Sequence, residues 1–182
     1  MNPTPIQIVV AYDFTQSSRH ALLRAIEIAA REPAAVLHFV NVVEAHGADY
    51  AYAGRVQEQL AREITEELRR AELTGREHFF VHARLGKPAA EILELAREVG
   101  ADRIVVGTKG LTGVEHFVLG SVAERVVREA GCTVEIARAK TYPQVDLLNV
   151  VEVEQQHRYV PPHRYSYADN RVQMRPKDWP LY

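Results

Sequence analysis

Ile6-Gln7-Ile8-Val9-Val10-Ala11-Tyr12 is a short, mostly β-branched run, and the carboxylate of Asp13 follows it. Such a run has no polar face, which is the pattern of a strand buried on both sides in a parallel sheet. A parallel neighbour requires a crossover, and the next segment supplies one. Thr15 is a plausible N-cap, and Ala21, Leu22, Ala25, Ile26, Ile28 and Ala29 recur at helical spacing until Pro33. Val36 to Val43 reads as a second strand, followed by a loop containing Gly and Tyr. Val56, Leu60, Ile64, Glu67 and Leu68 then mark a long amphipathic helix that Gly75 is expected to close. Glu77 to Leu85 alternates as a third strand, Pro88 opens a helix to about Val99, and Asp102 to Gly107 is a fourth strand. Ser121 to Ala130 is the fourth helix and Thr133 to Arg138 the last strand. Right-handed crossovers fold this β-α-β-α-β-α-β-α-β order into an α/β architecture, a doubly wound five-stranded parallel sheet with helices on both faces, Rossmann-like. Ligands of such sheets sit at the carboxyl ends of the strands, so the loops after Tyr12, Val43 and Gly107 are where a site is expected.

The loop after the fourth strand reads Gly107-Thr108-Lys109-Gly110, nine residues, then Gly120-Ser121-Val122. Glycines let backbone N–H groups approach an anion, and a helix starting near Ser121 adds the positive end of its dipole and a hydroxyl. That combination suits a di- or triphosphate. It is neither a Walker A loop nor the dinucleotide G-x-G-x-x-G pattern. The same residues also fit a plain glycine loop followed by a serine N-cap. Asp13, at the same sheet edge, can accept hydrogen bonds from ribose hydroxyls or help hold a phosphate-bound Mg²⁺, although an Asx-turn is an equal use for it. Val42 could offer its backbone to an adenine edge, or simply pack in the core.

Tyr12-Asp13-Phe14-Thr15, Asn41-Val42-Val43, and Gly107-x-x-Gly110-x9-Gly120-Ser121 followed by Val122-Ala123-Glu124-Arg125-Val126-Val127 resemble the universal stress protein family over about Ile6 to Arg138. The resemblance implies an adenine nucleotide alpha hydrolase-like fold that binds ATP with Mg²⁺. Asp13 would lie near ribose and metal, Val42 at adenine, and Gly107, Thr108, Lys109, Gly110, Gly120, Ser121 and Val122 around the phosphates. It also implies a homodimer through the final strand, residues 133–138. Two departures stand out. Cys132-Thr133-Val134 lacks the proline that commonly follows this cysteine, and Glu135 puts a charge in a strand that relatives keep apolar. Across a twofold, Glu135 would oppose its own copy unless it faces solvent or meets an arginine such as Arg138.

Composition excludes other classes. The chain has 182 residues, 47% of them hydrophobic and 25% charged, the balance of an ordinary globular protein. A single cysteine, Cys132, rules out an internal disulfide framework or a Cys-cluster zinc site. The net charge of −2 encodes no general attraction to nucleic acid or anionic lipid. No apolar run approaches the roughly 18 residues of a membrane helix. Met1-Asn2-Pro3-Thr4-Pro5 is no signal peptide, so a cytoplasmic protein is expected.

None of the histidines has a metal-binding spacing. His116 sits inside the phosphate loop, where solvent exposure is its usual state. No arrangement dedicated to hydrolysis is recognisable in the motif.

Residues 1–139 thus form the expected nucleotide-binding domain and 140–182 a C-terminal extension. The extension holds five of nine prolines, five of eight tyrosines and the only tryptophan, Trp179. Aromatics interleaved with arginine are what protein interfaces use as anchors, so the extension is expected to contact the chain itself, a dimer mate or a protein partner. No nucleic-acid fold supports it, and nucleic acid is not the expected partner. Three functions remain open: a regulatory ATP-binding module in a stress response, a slow ATPase or autophosphorylating enzyme, and a tail-directed adaptor with a structural nucleotide.

Overall fold

The computed structural model describes residues 5–44, 50–73, 78–108 and 119–139. Five strands, β1 (Gln7–Ala11), β2 (Val36–Val43), β3 (His78–Leu85), β4 (Arg103–Gly107) and β5 (Thr133–Ala137), alternate with four helices. These are α1 (Gln16–Arg31), α2 (Tyr50–Arg70), α3 (Pro88–Val99) and α4 (Ser121–Glu129). The strands form one parallel sheet in the order β3-β2-β1-β4-β5. The expected architecture is therefore the observed one, and β1 is its central strand.

Strand period 2 sorts the apolar residues into two cores. Ile8, Val10, Leu37, Phe39 and Val105 face α1 and α2. Val9, Val40, Ile104 and Val106 face α3 and α4. Ile8, Val9 and Val10 have no exposed surface at all, which is why the β1 sequence shows no polar alternation. Each such side chain contributes roughly 1.5 to 3 kcal/mol through burial, and the sheet stays together without disulfides.

The helix ends follow local chemistry. Thr15 caps α1, its hydroxyl accepting from the Ser18 N–H at 3.2 Å. Pro88 occupies the first turn of α3, and Gly100 ends that helix in the left-handed conformation. Helix α2 departs from the sequence expectation at both ends. It starts at Tyr50, so the tyrosines assigned to a loop are helical, and it ends at Arg70, before Gly75, which lies outside the described residues. Glu72, with φ 58°, takes the left-handed position instead, and the Leu73 N–H bonds back to the Leu68 carbonyl at 3.0 Å.

At the sheet edges, Glu135 on β5 is met by Arg24 of α1 and by Arg103 of β4, the latter at 3.4 Å, so its charge is compensated within the chain and not by Arg138. On β3, the Gln57 amide of α2 donates to the outward carbonyl of Val81 at 2.9 Å.

A polar chain inside the sheet joins β1, β2 and β3. Gln7 Oε1 lies 2.9 Å from His38 Nε2, and His38 Nδ1 lies 3.2 Å from His82 Nε2. With the Gln7 carbonyl oxygen accepting, His38 carries its proton on Nε2 and accepts from His82 through Nδ1. Phe80 stacks on the His38 ring at 5.0 Å. Burial, reinforced by His82, pushes the His38 pKa down to about 4. His82 is lowered too, by burial and by Arg84, with Glu98 acting in the opposite sense. A buried neutral histidine binds fewer protons than its unfolded counterpart, so stability is full above about pH 6.5 and declines as pH falls toward 4. Urea melts between pH 7 and pH 4.5 are expected to show this loss, and His38→Gln to show a shallower acid limb. Identical pH slopes for the two proteins would remove His38 as the cause.

Candidate functional site

The strand order reverses between β1 and β4, and in doubly wound sheets the carboxyl ends of the two strands at such a point flank the ligand crevice. Asp13 stands one residue beyond Tyr12 on the β1 side, and Thr108 follows Gly107 on the β4 side. Asp13 is firmly held. Its N–H donates to Ser18 Oγ at 3.2 Å, and its Oδ1 accepts from the Thr15 N–H at 3.1 Å and the Thr15 hydroxyl at 2.6 Å. This is the Asx-turn that the sequence allowed, so one carboxylate oxygen serves the fold. Phe14 is left-handed, with φ 64°, a conformation that costs a non-glycine residue about 1 kcal/mol or more. Packing of its ring edge-on to Tyr12 at 5.3 Å and against the first core offsets that cost. Tyr12 is itself fixed from two sides: its hydroxyl donates to Glu63 of α2 at 2.8 Å, and its carbonyl accepts from Asn41 at 2.9 Å. Burial first, and then the Glu63 carboxylate, raises the Tyr12 phenol well above its usual pKa, keeping it a donor.

The β4 side is joined to the β1 side through α1. Ser17 Oγ lies 3.2 Å from Thr108 Oγ1. The Thr108 carbonyl accepts from the Gly120 N–H at 2.8 Å, which clamps the two ends of the glycine loop together. Lys109 and Gly110, along with His116, lie outside the described residues. Gly120 is the N-cap of α4, with extended backbone and no side-chain cap bond. Ser121 is thus the first helical residue, not the cap, and it is exposed. Val122 packs against the second core. The Val42 side chain packs there too.

Gly107 has a specific reason to be glycine. A Cβ on it would sit 2.5 Å from the Ser17 carbonyl oxygen and 2.6 Å from the carbonyl carbon. The sequence suggested that this glycine admits an anion, whereas the close neighbour is the first turn of α1.

The crevice therefore brings together Asp13, Gly107, Thr108, Gly120 and Ser121 through Ser17 and Ser18, which sequence reasoning passed over. Their signal was two hydroxyls in the first turn of a helix that begins beside the expected site. Among the described residues, no group of three or more His, Cys, Asp or Glu is placed to hold a metal ion. Burial, helped by Asp102, raises the Cys132 thiol, which is the opposite of what a nucleophile needs.

The sequence pattern of the universal stress protein family matches residues 7–138, more than half of the chain. The chain belongs to the universal stress protein family. A Staphylococcus epidermidis protein named as a universal stress protein is 34% identical over 145 residues, covering 75% of this chain and 86% of its own. Among solved structures, a universal stress protein in complex with cAMP is 30% identical, covers 74% of this chain and 98% of its own, and superposes with a TM-score of 0.54. The Archaeoglobus fulgidus universal stress protein in complex with dAMP, 20% identical with a TM-score of 0.54, shares the fold over 76% of this chain and 100% of its own. In this universal stress protein, no helix among the described residues is long and apolar enough to cross a membrane.

The Gly107–Ser17 contact yields a ligand-independent expectation. Gly107→Ala should lower stability in urea melts by about 1 to 3 kcal/mol in the absence of any nucleotide, because the sheet and α1 must separate to admit the methyl group. An unchanged midpoint would show that α1 is not seated as described.

Proposed function

We propose that this universal stress protein is a cytoplasmic ATP-binding regulatory module whose nucleotide state controls interactions in a stress response. What supports the reading is a chain of contacts at the carboxyl ends of β1 and β4: the Asp13 N–H bonds Ser18 at the start of α1, Ser17 pairs with Thr108, and the Thr108 carbonyl accepts at 2.8 Å from Gly120, the N-cap of α4. A carboxylate suits ribose hydroxyls, and helix N–H groups suit phosphate. The Gly107-x-x-Gly110-x9-Gly120-Ser121-Val122 spacing, with Thr108 and Lys109 inside it, supports the same assignment. So does the cAMP bound by the 30% identical relative. Mg²⁺ would enter with the phosphates. Asp13 has Oδ1 committed to Thr15, and its second oxygen would face such an ion indirectly.

Two further elements belong to the proposal. β5 is an edge strand whose Ile136 is 38% exposed, beside an arginine-compensated Glu135, and it would pair with its own copy in a homodimer. The extension, residues 140–182, would provide the contact with self or a protein partner. A nucleotide can switch such contacts only by binding one state more tightly than the other.

The test begins with denaturing freshly purified protein and identifying any released small molecule by mass spectrometry. Stripped protein is then titrated with ATP and Mg²⁺ while phosphate release is followed. Binding without appreciable turnover is the expected result, and Gly120→Val should abolish it with the fold intact. Retained binding in that variant would refute the site, and turnover that disappears with Gly120→Val would instead make the protein an ATPase.

A further inference from the structure

β3 has one strand neighbour, β2, and its two faces are held differently. On one face Phe79 and Val81 join the first core together with Leu60 and Ile64 of α2. On the other, Phe80, His82 and Arg84 stand in a row, and Phe80 is 53% exposed. Arg84 ties this face to Glu98 and, at 3.6 Å, to Glu91 of α3, while Phe80 and His82 both lean on a single side chain of β2, His38. The charged groups around the histidine pair are therefore Arg84 on β3 and Glu91 and Glu98 on α3. β1 presents the neutral Gln7 amide, and the Gln7 backbone N–H is held by Asp102 at 2.8 Å.

The two histidines do not take protons equivalently. His82 is half-buried, and Glu98 offsets part of the effect of burial and of Arg84, whereas His38 is 6% exposed, so the first proton goes to His82. It enters at Nδ1, since Nε2 already carries the hydrogen given to His38, and the bond survives as a charge-assisted one. The second proton can enter His38 only at Nδ1, because its Nε2–H is committed to the Gln7 carbonyl oxygen. Nδ1 is the acceptor of the bond to His82. Protonating it removes that bond and leaves two cationic rings with nitrogen atoms 3.2 Å apart. Lifting β3 gives both rings water at the loss of one ladder, whereas moving β2 would break two. The Arg84–Glu98 pair stays closed over the same range, since Arg84 holds the Glu98 carboxyl below its ordinary pKa.

We infer that His38 and His82 form a two-proton latch that fastens the edge strand β3 and releases it in acid while the rest of the sheet stays closed. The acid loss of stability derived above is thereby localised to one strand. It is independent of any nucleotide. The released state presents the edge of β2, a row of unpaired backbone groups, to whatever strand is available, so acid changes what this protein can pair with.

Histidine titration and amide exchange by NMR on the full chain, between pH 7 and pH 4.5, test this. In wild type His82 should titrate above His38. The Phe80 and His82 amides face β2, because the Val81 carbonyl faces outward. Relative to Val9 and Val10 of the central strand, they should lose about tenfold or more in protection by pH 4.5, after allowance for intrinsic exchange. His38→Gln keeps an acceptor for His82 but cannot take the second proton, so its β3 amides should stay within about twofold of their neutral-pH protection. In His82→Gln the neighbouring charge is gone, and His38 should titrate at a higher pH than in wild type. Equal loss of protection at β1 and β3, an acid opening of β3 that survives His38→Gln, or a His38 titration unmoved by His82→Gln overturns the latch. If His38→Gln does not fold, the comparison of β3 with β1 in wild type still decides.

Discussion

Helix α1 can start where it does only because residue 107 has no side chain. The end of β4 and the first turn of α1 meet with the Ser17 carbonyl where a Cβ would be, and no rotamer change could relieve that contact, since both sides are backbone. From this approach follows the Ser17–Thr108 hydroxyl pair, and from that pair the fixed start of the loop whose other end returns to Thr108 through Gly120. The seating of α1 also places Thr15 and Ser18 around Asp13. A helix shifted outward by one ångström would loosen both walls of the crevice together.

Helix α2 secures the opposite side of the same region. Glu67, nearly buried, binds Arg19 of α1 at 2.7 Å and Arg70 at 2.8 Å, and Glu63 receives the Tyr12 hydroxyl. A nearly buried carboxylate held by two guanidinium partners from two helices is constrained in position, because moving it far enough to lose both leaves its charge uncompensated. The loop at the end of β1 is thus gripped from the sheet by Asn41, from α1 by Ser18 and from α2 by Glu63. Such restraint is what keeps Phe14 in a conformation it would otherwise leave.

Much of this was legible in the chain. The β1 run, the helical spacing after Thr15 and the Pro88 start pointed to the succession of elements and the class, because burial on both faces leaves a continuous apolar signature that needs no tertiary information. Asp13, Gly107 and Gly120 could be singled out because they stand at strand and helix ends, but the contact that requires glycine at 107, the Ser17 backbone, could not. Pairings across the sheet were not. His38 and His82 are 44 residues apart in sequence and 3.2 Å apart in space, and nothing local announces it. Glu135 looked like a misplaced charge because its partners, Arg24 and Arg103, come from a helix and a strand that reach it only after the sheet is assembled. The partner of Asn41 was hidden for the same reason, since the carbonyl it satisfies, that of Tyr12, lies at the end of another strand. The start of α2 was missed for a different reason: Tyr50, 88% exposed, carries no periodic signal, and its helical state is inherited from the buried turns that follow.

The Gln57 amide on the β3 edge bears on how copies of this protein can associate. An open sheet has two exposed margins, and if both were equally receptive, β3 of one molecule could add to β5 of the next without limit, giving an open-ended filament. Gln57 fills one of the acceptor positions on the outer margin of β3, so a foreign strand arriving there would have to displace it before the first rung could form. The margin at β5 has its charge neutralised from within. The sheet is therefore polar across its width as well as along its strands, with one reluctant side and one receptive side. An assembly that uses only the receptive side closes after two molecules.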